Sequence, residues 1–306
     1  MEINKEKLRE FILFIKDKTN FSSPELIEKD FYLNLLLAKL NLDEFVFKGG
    51  TCLAKIYLDY FRLSEDLDLT FINQKLFENK STQQIKKICK EKIDNFGKQI
   101  ESIGLNFVLN KSDRNYVELG NNNKLVTYKV WYDSVFTNTP SFVKIQINFL
   151  EEIKFEIKSG ETIPLIKGNI TEDERTYFQD FIIFYEKKKL PVYDIKEIIA
   201  EKIRSLLTRR KIKSRDAIDL LFIYNKYNIK PESLIKEAQE KIFYATKNYE
   251  KYKKNFILSK ENIEQVDFPY SEVKHLVVED FNEKDFDNFI AELIPLLKII
   301  IKELKL

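Results

Sequence analysis

The stretch Ser64-Glu-Asp-Leu-Asp-Leu-Thr-Phe71 limits this chain more than any other. Leu67, Leu69 and Phe71 alternate with Asp66, Asp68 and Thr70, the period-two pattern of a strand with one apolar and one polar face. A strand is therefore expected over residues 66–72, with both carboxylates on the same side. Residues two apart on a strand lie roughly 6.5 Å from each other. Two carboxylates can converge across that span on a hard cation such as Mg²⁺ (or Mn²⁺), which keeps open positions for phosphate oxygens.

Just upstream stands Phe45-Val-Phe-Lys-Gly-Gly-Thr-Cys-Leu53. Phe45 to Phe47 reads as a short apolar strand, Gly49-Gly50 as a tight turn, and residues 51–60 as a helix with Leu53, Ile56, Tyr57 and Tyr60 on one face. The unpaired N–H groups and positive end of such a helix suit a triphosphate. Together the two segments read as a nucleotide-handling site. Asp66 and Asp68 are the candidate metal ligands, Gly49, Gly50 and Thr51 the phosphate cradle, and Lys48 a neutralising cation. Ser64 either caps the turn before the strand or touches phosphate. A Walker-type loop is excluded, because no Gly-Lys-Ser/Thr follows four residues after a glycine.

The chain has 306 residues, enough for one large or two ordinary domains. Its 51 basic and 49 acidic residues nearly cancel, which argues against a dedicated polyanion-coating protein but not against a local basic face. Cys52 and Cys89 are the only cysteines and have no metal-ligand spacing, and the opening Met1-Glu-Ile-Asn-Lys-Glu-Lys lacks the apolar stretch of a signal peptide. A reducing cytoplasm is expected. The apolar run Leu293 to Ile301, interrupted by Pro295 and Lys298, is too short to span a bilayer, so no membrane partner is expected. The single histidine, His275, sits in a Lys-His-Leu-Val-Val context that reads as structural, which disfavours a histidine-based hydrolase.

Along the chain, helices are expected over 4–18 and 23–40, the second opened by Ser23-Pro24. A strand at 45–48, the helix at 51–60 and the strand at 66–72 follow, then a helix over 82–103 ending at Gly104. Strands are expected near 105–110, 125–132 and 142–149, with Asn121-Asn-Asn123 turning between the first two. A helix at 173–180, an apolar segment at 181–185 and Pro191 lead into a helical remainder. The pattern is α+β: a mixed sheet flanked by helices over residues 1–194, then a helical bundle over 195–306, on which the N-terminal helices could also pack. On the strand carrying Val143, Ile145 and Ile147, the polar face offers Lys144, Gln146 and Asn148 in place of a third acid. An amide brings no charge, which weakens the case for a second tightly held ion. Glu151 and Glu152 are the nearest substitutes.

In the helical half, Ile195, Ile198, Ile199, Ile203 and Leu206 form one stripe, and Lys202 falls near its centre. A lone buried ammonium is costly, so Lys202 either snorkels to water or meets an anion. In the functional reading that anion is a nucleotide triphosphate, or Asp216 when the site is empty. Ser214 is a candidate N-cap for the next helix, with Asp216 in its first turn and Asp219 three residues on. The basic run Arg209 to Arg215 and the tyrosine-interleaved run Tyr244 to Lys254 are candidates to contact RNA, or are simply solvated helix faces.

Three blocks give the chain a family likeness: Ile27-Glu-Lys-Asp-Phe-Tyr-Leu-Asn-Leu-Leu-Leu37; Phe47-Lys-Gly-Gly-Thr-Cys-Leu53 with Arg62-Leu-Ser-Glu-Asp-Leu-Asp-Leu69; and Glu197 to Arg209 with Arg215-Asp-Ala-Ile-Asp-Leu220. They resemble the minimal nucleotidyltransferases and, more narrowly, the AbiEii/AbiGii nucleotidyltransferase toxins of type IV toxin-antitoxin systems. The likeness spans about the first 225 residues. It implies a nucleotidyltransferase fold with the cleft between sheet and helical domain, a metal-dependent transfer of a nucleoside monophosphate from an NTP with release of pyrophosphate, and Lys202 and Asp216 as later active-site residues. It further implies an RNA acceptor, the 3′ end of tRNA, and a cognate antitoxin. Transfer to a protein or small-molecule hydroxyl would use the same core, and a catalytically degenerate fold would bind a partner or RNA only.

Overall fold

The computed structural model describes residues 3–166, 168, 170–274, 277–278 and 281–304. His275 lies outside the described residues. The chain divides into two compact units, one of residues 1–150 and 159–192, the other of residues 151–158 and 193–306.

The first unit opens with α1 (Lys5–Lys18) and α2 (Pro24–Lys39). Asn4 Oδ1 caps α1 by accepting from Lys7 N, and Ser23 Oγ caps α2 by accepting from Leu26 N, each satisfying an otherwise orphan donor. Leu8, Phe11, Ile12 and Ile15, spaced three and four apart, put one face of α1 into the core. Next come β1 (Phe45–Lys48), the single α-turn α3 (Gly49–Cys52), β2 (Asp66–Phe71) and the long α4 (Thr82–Ser102), opened by a Ser81/Gln84 capping box. After α4 run β3 (Val117–Gly120), β4 (Leu125–Asp133), β5 (Pro140–Asn148) and β6 (Lys158–Glu161), then the short α5 (Glu172–Tyr177) and α6 (Gln179–Ile182), and β7 (Lys189–Val192).

The strands form one seven-stranded mixed sheet in the order β3-β4-β5-β2-β1-β7-β6. β2 lies at its centre, antiparallel to β1 and parallel to β5. The alternation read from the sequence appears directly in burial: Leu67, Leu69, Val143, Ile145 and Ile147 are all at 0–1% exposure. Asp66, Asp68 and Thr70 stand opposite Lys144, Gln146 and Asn148 on the other face. This α+β architecture agrees with the sequence reading.

Three local expectations are corrected. Residues 105–110 form no strand; they meet β4 at the isolated bridge Asn106↔Trp131 and pack the Phe107 ring against Tyr128, and the hairpin turning at Asn121-Asn-Asn123 is built by β3 and β4. All three asparagines have positive φ, which short polar side chains tolerate. The helix expected over 51–60 starts at Gly49, turns into a π turn over Leu53–Tyr57 and ends there. Finally, β7, unexpected because it contains Pro191, pairs with β1 through Phe47↔Val192.

The second unit is built on α7 (Ile195–Thr208), packed by α8 (Ser214–Tyr227), α9 (Ile235–Asn248) and α10 (Glu250–Asn262), with the short α11 (Ser271–Lys274) against α8 and a long α12 (Glu283–Glu303) completing it. Asp194 caps α7 by accepting from Lys196 N. Ser214 is not the cap of α8: Lys213 occupies that position, and Ser214 Oγ donates to Glu272 instead. Among the described residues no helix is long and apolar enough to cross a membrane.

Candidate active site

In the first unit the site grows from the junction of β1 and β2. Their antiparallel register sets Lys48 directly opposite Asp68, so both side chains lie on the same face. The chain leaves β1 through Gly49, whose φ of +74° places it in the left-handed region that favours glycine. A Cβ there would collide with the Asp68 carboxylate. Gly50 is crowded from another side: a Cβ would lie 2.5 Å from Arg62 Nη2 and 3.0 Å from Ser64 Oγ. Thr51 Oγ1 donates to the carbonyl oxygen of Asp66 at 2.5 Å, tying the turn to the start of β2. Lys48, Gly49, Gly50, Thr51, Ser64, Asp66 and Asp68 are thus gathered within one turn and its neighbouring strand.

Asp66 and Asp68 remain partly exposed while Leu67 between them is fully buried. Beneath them Cys52 is at 0% exposure; burial, reinforced by the charge of Asp68, pushes its thiol well up, so it stays protonated and unreactive. Among the described residues no three His, Cys, Asp or Glu side chains form a metal-holding set. The two carboxylates nevertheless fit a hard cation that brings phosphate and water oxygens with it, since Mg²⁺ is commonly held by one or two carboxylates plus substrate phosphates. Glu151 is engaged elsewhere. It is buried in the second unit, 3.8 Å from Lys241 Nζ, while the Glu152 carboxylate pairs with Lys154.

The second unit holds Lys202 and Asp216. Lys202 Nζ donates to Asp216 Oδ1 at 2.8 Å and also meets Asp219 Oδ2 at 2.5 Å. Asp216 and Asp219 are 1% and 0% exposed, and Arg209 pairs with the other oxygen of Asp216. Burial alone would raise the Asp216 carboxyl; Lys202 and Arg209 outweigh it and hold the group below the ordinary carboxylate range, against some opposition from Asp219. The sequence reads Asp216 and Asp219 as a pair, and the family likeness singles out Asp216 alone. The place of Asp219 three residues along the same helix is the signal, because such positions share a face.

Of the basic runs, Arg210, Lys211 and Lys213 are exposed between α7 and α8. In the tyrosine-rich run Tyr249 is 2% exposed and the ring of Tyr252 lies under the Arg204 guanidinium, while Lys251, Lys253 and Lys254 are exposed.

The two same-face acids beside a glycine turn in the first unit, and the buried Lys–Asp pair in the second, are the features on which the likeness to nucleotidyltransferases rests, and the family match supports that class of enzyme. The chain belongs to the AbiEii family, described as nucleotidyl transferase AbiEii toxins of type IV toxin-antitoxin systems, whose model matches residues 34–299. Among solved structures, the crystal structure of JHP933 from Helicobacter pylori aligns over 93% of this chain and 95% of its own at 17% identity, with a TM-score of 0.38. No curated protein gives a match.

Proposed function

We propose that this protein transfers a nucleoside monophosphate from an NTP to a hydroxyl of RNA, the 3′ end of tRNA, and acts as the toxin of a pair whose antitoxin restrains it. The observation that carries this reading is the approach of the Asp68 carboxylate to the backbone of Gly49, opposite Lys48 and two residues from Asp66. Acid, cation and bare backbone lie together there, as recognition of a metal-bound polyphosphate requires.

Asp66 and Asp68 would hold the divalent cation, Mg²⁺ or Mn²⁺. That ion supplies neutralisation of charge on the phosphate oxygens. The backbone of Gly49 and Gly50, with Thr51 and Ser64, would cradle the β- and γ-phosphates, and Lys48 would offset their charge. The acceptor oxygen forms its bond to the α-phosphorus as the bond to the β-phosphate bridging oxygen breaks. Pyrophosphate leaves with that electron pair, and the hydroxyl proton passes to solvent. Lys202 is assigned as a second phosphate-neutralising cation. Asp216 holds it in the resting protein and positions it, or the acceptor, during transfer.

The test incubates wild type and Asp66→Ala/Asp68→Ala with each α-labelled NTP and total tRNA. Label in tRNA for wild type alone is expected. Label in protein or a small molecule instead would overturn the RNA acceptor. Absence of label anywhere, with RNA binding retained, would identify a degenerate binding module.

A further inference from the structure

The first unit contains a buried ionic cluster that the proposed reaction does not use. Lys55, 1% exposed, donates to Asp30 Oδ1 at 2.5 Å, to Asn34 Oδ1 at 3.0 Å and to Tyr60 Oη at 2.7 Å. Asn34 Nδ2 in turn donates to Asp30 Oδ2 at 2.9 Å. The three ammonium protons are satisfied, and the cluster ties α2, which carries Asp30 and Asn34, to the segment that follows the glycine turn. A buried ion pair of this kind is often no more stabilising than apolar residues of similar volume, and its best-attested use is to specify one arrangement.

The arrangement it specifies is unusual. Asp59 and Tyr60 are consecutive non-glycine residues with φ of 54° and 58°, a backbone state that persists in bulky residues only when its surroundings over-determine it. Leu58 N donates to Leu53 O at 2.8 Å, closing the π turn; Tyr60 N then donates to Ala54 O at 2.8 Å, and the Tyr60 hydroxyl is held by Lys55. This reversal sends the chain back so that Arg62 and Ser64 land against Gly50, with Arg62 Nη1 donating to Leu63 O at 3.0 Å. The segment from Gly49 to Ser64 is thus a closed loop: out through the glycine turn, around two left-handed residues, and back onto the same turn.

We infer that Asp30, Asn34, Lys55 and Tyr60 are positioning residues for phosphate recognition, clamping the left-handed reversal at Asp59–Tyr60 so that Arg62 and Ser64 hold the Gly49–Gly50 turn in its ligand-binding shape. The inference rests on the nucleotidyltransferase reading and adds a set of residues that act through the turn without touching the nucleotide.

The test is titration of wild type, Tyr60→Phe and Asn34→Leu with a fluorescent NTP in the presence of Mg²⁺, alongside thermal unfolding and amide hydrogen exchange over residues 58–64. Tyr60→Phe removes one oxygen and keeps the ring. It is expected to weaken NTP binding by on the order of 10-fold to 100-fold, the scale of loss from a small misplacement of a binding group. Exchange over residues 58–64 should rise while the unfolding transition stays cooperative. If Tyr60→Phe fails to fold, Asn34→Leu, which removes a partner of Lys55 and leaves the Lys55–Asp30 ion pair in place, carries the same expectation. Wild-type NTP affinity in a folded variant overturns the inference and leaves the nucleotidyltransferase reading standing. Failure of wild type itself to bind any NTP overturns both.

Discussion

Lys202 lies closer to Asp219 than to Asp216, at 2.5 Å against 2.8 Å, and Asp216 meets a further cation, Arg209, at its other oxygen. The ammonium therefore bridges two buried carboxylates on one helix, and the Arg209 guanidinium adds a second positive charge beside them.

This arrangement fixes the sign of a pH effect. Asp216 is the stronger acid in the folded protein, so its contribution to stability is complete above the ordinary value of 3.8 and disappears as the pH falls through the lower folded value. Urea unfolding of wild type should show stability dropping below about pH 4. Asp216→Asn should be less stable at neutral pH and show a flatter acid limb, and an acid limb as steep as that of wild type would contradict the assignment.

Gly49→Ala places a methyl group where the Asp68 carboxylate sits, on a residue with φ of +74°. The left-handed conformation alone costs an alanine about 1–2 kcal/mol. Denaturant unfolding should register a loss of at least that size, and transfer activity should fall far more than stability does, because Asp68 must move away from its place beside the turn.

Lys55→Met leaves the Asp30 carboxylate buried without its cation. Removing one partner of a buried pair typically destabilises by about 3–5 kcal/mol, and equilibrium unfolding should read a loss in that range. The double variant Asp30→Leu/Lys55→Met should recover much of it, since no unpaired charge remains. A double variant as unstable as the single one would show that packing, not charge, is responsible.

Addition of NTP and Mg²⁺ together should raise the thermal midpoint of wild type. Ligand at 100 times its dissociation constant stabilises a protein by about 2.7 kcal/mol. The same addition should leave Asp66→Ala/Asp68→Ala unmoved, and chelation of the metal should abolish the wild-type shift. An equal shift in both proteins would remove these two carboxylates from nucleotide binding.

The sequence displayed the centre of the first unit because its signal is periodic. Asp66, Asp68, Leu67 and Leu69, and across the parallel register Lys144, Gln146, Ile145 and Ile147, alternate without interruption, and burial follows the alternation. Leu105, Phe107 and Leu109 carry the same alternation, yet among the described residues their segment is joined to the sheet by the isolated bridge of Asn106, so period two marks a candidate strand without supplying its partner. The end of the glycine-turn helix was hidden for another reason: the left-handed pair Asp59–Tyr60 contains no glycine, and what stabilises it is a lysine five residues back and an acid thirty residues back. The same holds in the second unit, where Lys241 on α9 pairs with Glu197 on α7 and donates to Glu152 O at 2.5 Å, while Glu197 Oε2 accepts from the backbone of Lys154 and Phe155. Such pairings depend on how elements pack, which local spacing does not encode.

The margins of the sheet have a consequence of their own. Both outermost strands, β3 and β6, are only four residues long, and β6 reads Lys-Ser-Gly-Glu. Brief, charged borders present few amides for a foreign strand to zip onto. The apolar β-rich interior is thereby shielded from edge-to-edge growth into fibrils, a safeguard that lengthening β6 with apolar residues would remove.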